Sequence, residues 1–232
     1  KKIYKKIYKN LTFAIDEDKI YVADNIGFIY VITVENGELI WIKNHGVPLK
    51  SNVKVFDNKI FLINQDNRLL CLDTENGSKI WDVRSVSSFI KSQQSLALSI
   101  SKEGDIVILN SSGDLLKIKS NNGRIYWSLN TTGSLLTHDT DFFKSSDIVI
   151  ADEDIIFATS SSIFSYNLNN GYLNWKENIG SKNTPIIDGK NVFLVSDNGY
   201  FVNLDRRTGK IIWSTNILKV LKKKKQKTYI TG

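Results

Sequence analysis

The chain has 232 residues, of which 41% are hydrophobic, 24% charged and 11% aromatic, a balance that supports a packed core and excludes a disordered chain. Its single cysteine, Cys71, excludes an internal disulfide framework and a cysteine-based zinc cluster, and no apolar run reaches the roughly 18 residues that a membrane-spanning helix needs. The net charge of +7 is concentrated in five lysines within residues 1–10 and six within Lys219–Lys227; without those eleven the remainder holds 20 basic against 24 acidic residues, a net of −4, so the folded part is not a basic nucleic-acid platform.

In chain order, the first segment offers two apolar, β-branched runs, KIYVAD (residues 19–24) and FIYVITV (28–34), joined by the turn residues DNIG. The second reads NVKVFD, a turn at Asn58, IFLINQ, a turn at Asp66-Asn67, RLLCLDT, the turn ENGS and KIWDVR: four short antiparallel strands in a meander. DIVILNS with DLLKIKS, DIIFATS with IFSYNL, and NVFLVSD with YFVNLDR repeat the two middle strands three more times, through SSG, SSS and DNG. Those connections carry residues that tolerate left-handed backbone in tight hairpins. Helical periodicity is not sustained anywhere, and the two prolines, Pro48 and Pro185, fall in loops or at strand starts. The chain reads as all-β.

The repeats align on a glycine that precedes a tryptophan by four residues: Gly37 and Trp41, Gly77 and Trp81, Gly123 and Trp127, Gly171 and Trp175, Gly209 and Trp213. All five tryptophans are used, at intervals of 40, 46, 48 and 38 residues. The glycine is expected to supply positive φ in the hairpin between third and fourth strands. The tryptophan then lies on the outer strand, where its ring covers the junction with a neighbouring sheet and its N–H reaches a backbone acceptor. A four-stranded sheet of this size cannot bury its own faces, so copies must stack, and radial stacking leaves only short edges. The expectation is a β-propeller of about five four-stranded blades, forming an arc of a seven- or eight-bladed ring. As one domain over residues 1–232, its blades fall near 11–43, 52–84, 95–130, 147–178 and 184–216, and 217–232 starts a further blade. With no methionine in the sequence, the chain reads as a piece of a longer protein.

Candidate chemistry is sparse. His45 and His138 have no partner at metal-ligand spacing, and the carboxylates fall in hairpins such as Asp16–Asp18 and Asp152–Asp154, so neither a metal nor a catalytic residue is assigned. The lysine run KVLKKKKQK reads as a solvated loop in preference to a lipid- or nucleic-acid-binding tail. The longest departures from the minimal unit are two interblade connections, DVRSVSSFIKSQQS after Trp81 and SLNTTGSLLTHDTDFFKSSD after Trp127. Connections of that length carry function more often than not.

Only Trp81 is followed by Asp and no Gly-His pair occurs, which argues against a WD-type propeller. LDRRTGKIIW, with Asp205, Thr208, Gly209, Lys210 and Trp213, instead resembles the pyrroloquinoline-quinone-type repeat, whose docking motif runs roughly A-x-D-x-x-T-G-K-x-x-W. The dehydrogenases built on that repeat hold a quinone over a tryptophan floor, commonly beneath an adjacent-cysteine disulfide. This chain has neither the cysteine pair nor a tryptophan outside the docking motif. Lean blades with two enlarged consecutive interblade loops resemble the outer membrane protein assembly factor B (BamB) family. The resemblance implies a cofactor-free scaffold without enzymatic activity at the periplasmic face of the outer membrane, attached through a lipid anchor outside this chain. It further implies protein partners: the periplasmic domains of the central barrel-insertion subunit, and unfolded barrel precursors. The family's partner contacts map onto Phe89, Ile90 and Lys91 in the first loop, where lysine replaces arginine, and onto Asp139 and Asp141 in the second. The alternatives are a quinone-dependent dehydrogenase fragment and the sensor propeller of a receptor.

Overall fold

The computed structural model describes residues 10–84, 95–131 and 145–220. They form five four-stranded antiparallel sheets, each with its strands in chain order. The first blade comprises β1 (Leu11–Asp16), β2 (Lys19–Asp24), β3 (Phe28–Thr33) and β4 (Leu39–Asn44), and the second β5 (Lys54–Phe56), β6 (Lys59–Ile63), β7 (Arg68–Asp73) and β8 (Lys79–Arg84). The third comprises β9 (Ala97–Ile100), β10 (Asp105–Leu109), β11 (Asp114–Lys119) and β12 (Ile125–Asn130). In the fourth are β13 (Val149–Ala151), β14 (Asp154–Ala158), β15 (Ile163–Asn167) and β16 (Leu173–Glu177), and in the fifth β17 (Ile186–Asp188), β18 (Asn191–Val195), β19 (Tyr200–Asp205) and β20 (Ile211–Asn216). Ile217–Val220, assigned from sequence to the start of a further blade, form a short 3-10 helix. The chain divides into two compact units, Lys1–Ser95 with the first two blades and Leu96–Gly232 with the other three.

The middle strands are apolar without alternation because both their faces are covered. In β6 the four residues Ile60–Ile63 are fully buried, as are Leu69, Cys71 and Leu72 in β7. Within the first unit, Tyr21, Ala23, Ile29 and Val31 of the first blade pack against Val53, Ile60, Leu62, Leu70 and Leu72 of the second. Within the other, Val107, Leu109 and Leu115 of the third blade meet Ile155, Phe157 and Phe164 of the fourth, whose opposite face packs Ile156, Ala158 and Ile163 on Val192, Leu194 and Val202 of the fifth. The cores therefore lie between blades, which is why one blade alone could not be stable.

Turn chemistry fixes the hairpins between second and third strands. Asp24 Oδ1 accepts the backbone N–H groups of Ile26, Gly27 and Phe28 at 2.9–3.0 Å, and Asn64 and Asn110 repeat the arrangement in the second and third blades. Hydroxyls replace the carboxamide later in the chain, with Thr159 accepting from Ser162 and Ser196 from Tyr200. These side chains satisfy donors that a tight turn would otherwise bury unpaired.

Cys71 sits at the centre of β7 with no solvent exposure, and burial pushes its thiol up to about 12. Because the thiolate is the reactive species, an aromatic disulfide reagent at pH 8 is expected to leave the native protein unmodified and to titrate one thiol after denaturation. Rapid native labelling would show that the second blade opens readily.

Candidate functional site

Each fourth strand carries its tryptophan directly after a break in register. Val31 pairs with Trp41 and Ile32 with Leu39, so that Ile40 is the extra residue; the same bulge recurs before Trp81, Trp127, Trp175 and Trp213. A bulge re-aims the side chain that follows it. Without it Leu39 and Trp41 would share one face of the sheet; with it the indole turns toward the following blade. The sequence contained this information only as the invariant four-residue spacing.

Within the units the indoles are held by two devices at once. Trp41 Nε1 donates to Thr74 O at 2.9 Å, Trp127 Nε1 to Leu168 O at 3.1 Å and Trp175 Nε1 to Arg206 O at 2.7 Å. Each acceptor lies three residues before the docking glycine of the next blade. That glycine, at φ +64° for Gly77, +73° for Gly171 and +72° for Gly209, lies against the same ring. A Cβ on Gly77 would stand 2.8 Å from Trp41, one on Gly171 3.0 Å from Trp127, and one on Gly209 2.6 Å from Trp175. The glycine is thus required twice: for its backbone conformation and as the seat of the preceding indole. Gly123 also has positive φ, at 72°. Trp81 lies against Phe61 of its own blade, with its Nε1 buried and without a hydrogen-bond partner among the described residues.

An open cleft of about 820 Å³ lies between the hairpins of the fourth and fifth blades, lined by Asp152, Glu153, Asp154, Lys190, Asp205 and Arg206 among others. Arg206 dominates it. Its Nε donates to Asp154 at 2.8 Å, Nη1 pairs with Asp152 at 3.0 Å, and Nη2 donates to Ala151 O at 2.5 Å. Since the Arg206 carbonyl also accepts the Trp175 indole, one residue clamps the fourth blade by main chain and side chain together. Thr208 donates twice to the Asp205 carboxylate from the opposite edge and holds it below the usual carboxylate range. Arg206 is therefore occupied with Asp152 and Asp154, an arrangement that joins the fourth and fifth blades. Sequence reasoning singled out LDRRTGKIIW for its glycine and tryptophan and did not assign Arg206.

Phe89, Ile90, Lys91, Asp139 and Asp141 lie outside the described residues. The anchors of their loops are described. Arg84, which ends β8, pairs with Arg68 at the base of the second blade's middle hairpin, and the first loop returns at Ser95, whose Oγ donates to Lys50 O at 3.2 Å. The other loop leaves at Thr131, whose N–H and Oγ1 both donate to Gly113 O at 2.8 and 2.7 Å. It returns at Ser146, a buried serine that accepts from Ala158 N at 3.0 Å and donates to Asp147 O at 2.8 Å. Ser51 makes the equivalent pair of bonds, with Ile63 N and Asn52 O, in the second blade. The described residues that flank each long loop are thus hydrogen-bonded to the blades beside them.

Elsewhere, desolvation lowers the pKa of His45, whose Nε2 is buried without a partner. Among the described residues no group of three or more His, Cys, Asp or Glu side chains could hold a metal ion, and no helix is long and apolar enough to cross a membrane.

Comparison with known proteins accounts for this repeating geometry. The family profile described as outer membrane protein assembly factor BamB matches residues 7–215. The chain belongs to the BamB family. The outer membrane protein assembly factor BamB of Shewanella oneidensis is 26% identical over 242 residues, covering 89% of this chain and 57% of that protein. The chain thus spans somewhat more than half the length of this curated relative. The crystal structure of BamB from Moraxella catarrhalis matches with a TM-score of 0.72 at 12% identity, over 90% of this chain and 64% of that one. A europium-containing methanol dehydrogenase matches with a TM-score of 0.70 at 14% identity, over 90% of this chain and 53% of that one. At such identities the structural likenesses establish the fold, a β-propeller of pyrroloquinoline-quinone-type repeats, and do not carry the dehydrogenase chemistry across.

Proposed function

We propose that the chain is a non-catalytic scaffold of outer-membrane protein assembly, working at the periplasmic face of the outer membrane and binding the barrel-insertion subunit through its two long interblade loops. The observation that carries this reading is membership of the BamB family over residues 7–215. In the first loop Phe89 and Ile90 supply an apolar anchor and Lys91 a charge at its rim; in the second Asp139 and Asp141 supply acceptors for a basic partner surface.

The test is the affinity of a Phe89→Ala, Ile90→Ala, Lys91→Ala triple variant for the periplasmic fragment of the barrel-insertion subunit. Truncating a buried aromatic anchor typically costs about 2 kcal/mol or more, so binding should weaken at least about tenfold with the circular dichroism spectrum unchanged. Undiminished binding would reject these residues. Incubation with pyrroloquinoline quinone and calcium should leave no quinone absorbance on the protein after desalting; retained absorbance would favour the dehydrogenase reading.

The outermost strands offer a second contact, for barrel precursors. Leu39, Ile40 and Ile42 on β4 and Ile211 and Ile212 on β20 are exposed along strand edges, and an extended apolar chain can add to such an edge through main-chain hydrogen bonds.

A further inference from the structure

We propose that the connection between the first and second blades is a pH-sensitive latch, closed while the His45 imidazole is neutral and released when the ring takes up a proton. His45 directly follows β4 and begins the segment that leads to β5. Its N–H donates to Gly27 O, in the hairpin between β2 and β3, at 2.8 Å. Further along, Lys50 N–H donates to Ile63 O and Gln65 N–H to Pro48 O, both at 2.8 Å, so the segment is fastened to the first blade at its start and to the second at its end. Hairpin and segment are in close contact between those points: a Cβ on Gly27 would stand 2.8 Å from Val47 O.

The imidazole belongs to this seam. Its Nε2 is buried and has no hydrogen-bond partner among the described residues. A neutral ring tolerates that, because an unprotonated Nε2 is only an acceptor left without a donor. An imidazolium carries an N–H on both nitrogens, so one charged donor would be buried and unpaired. The surrounding charges do not compensate. Asp24, in the hairpin that receives His45, spends Oδ1 on the N–H groups of Ile26, Gly27 and Phe28 and Oδ2 on the Tyr30 hydroxyl. Of the charged groups on the elements around the segment, Asp24, Asp66 and Arg68 in the hairpins and Lys43 and Lys50 beside it, Lys43 is the one whose field acts on the ring, and it opposes protonation as burial does.

The fold itself does not call for a histidine here. Thr131 and Ile217 stand at the same place after the outer strands of the third and fifth blades, and their N–H groups donate to Gly113 O at 2.8 Å and Gly199 O at 3.0 Å, the glycines that correspond to Gly27. Neither of those side chains titrates in the range where an imidazole does. Because burial holds the His45 ring below its ordinary value, the latch has its full stability above about pH 6.5, the pKa of the ring once open, and loses it as pH falls through that value toward the folded pKa. Release detaches the segment from Gly27 and admits water to Nε2 while the sheets stay intact.

Amide hydrogen exchange followed by NMR from about pH 7.5 down to about pH 5, corrected for intrinsic exchange rates, tests this on the 232-residue chain. Protection at His45, Lys50 and Gln65 should fall by about tenfold for each pH unit that separates the folded from the open-state pKa of the ring, a separation read independently from the titration of its ring protons. Protection at Thr131 should stay constant. His45→Phe, which fills the same space without titrating, should keep all three positions protected throughout. A ring that titrates at or above about pH 6.5, reporters that keep their protection down to the lowest pH, a loss shared by Thr131, or the same loss in His45→Phe would each overturn the proposal; the first and second need no variant, so they decide it even if His45→Phe does not fold.

Discussion

Gly209→Ala is expected to destabilise the protein by about 2–4 kcal/mol, and Gly37→Ala by only about 1 kcal/mol, although the two glycines share a φ of +72°. The common part is the strain of an L-residue in left-handed backbone. The difference comes from the neighbour: a methyl group on Gly209 would lie 2.6 Å from the Trp175 ring, which is 7% exposed and tied to Arg206, whereas one on Gly37 meets nothing within 4 Å. Overpacking of that kind typically costs about 1–3 kcal/mol beyond backbone strain. Urea unfolding followed by circular dichroism separates the two contributions. Equal losses would mean that the glycines serve backbone conformation alone and that the indole contact contributes nothing.

Arg206→Ala should be the most damaging single change on the polar side of the same joint. It strips partners from Asp154 and Asp152 and from the carbonyl of Ala151. The guanidinium is largely covered, with its side chain 16% exposed, while Asp154 is 23% and Asp152 76% exposed. Most of the cost therefore falls on Asp154 and the carbonyl. Breaking a fully buried pair costs about 3–5 kcal/mol, and partial exposure reduces this to about 2–3 kcal/mol here. Arg206→Lys should recover less than half, because an ammonium cannot reach two carboxylates and a carbonyl with one planar fork. Full rescue by lysine would show that net charge at this point, and not the geometry of the clamp, holds the fourth and fifth blades together.

The strands were legible because their physics is local. Short runs rich in β-branched and aromatic residues, broken by DNIG, SSG or DNG, can do little other than form short hairpins, and five copies of one spacing identify stacked blades. The bulge before each tryptophan was not legible, since nothing in LIW, KIW or IIW marks the middle residue as extra; it follows from the need to turn the indole toward the next blade. The same holds for the second role of the glycine. Positive φ can be read from an Asn-Gly or Thr-Gly pair, but contact with a ring 34 to 44 residues earlier depends on the stacking of sheets. Arg206 escaped notice because its acceptors, Ala151, Asp152 and Asp154, are remote in sequence and only the fifth blade has arginine at that position. Ser51 and Ser146 were hidden for a similar reason, as lone hydroxyls ahead of apolar runs. The assigned loop residues, Phe89 to Lys91 with Asp139 and Asp141, rest on family resemblance and fall beyond the described sheets, so their role awaits the binding measurement.

Indole hydrogen exchange, measured by NMR on protein carrying 15N-labelled tryptophan, addresses the joint directly. The N–H protons of Trp41, Trp127 and Trp175 should exchange orders of magnitude more slowly than in a free peptide, and Gly209→Ala should release Trp175 while leaving Trp41 protected. Exchange of all three at peptide rates in the folded protein would contradict the claim that, within each unit, a blade is pinned to the next by an indole seated on glycine.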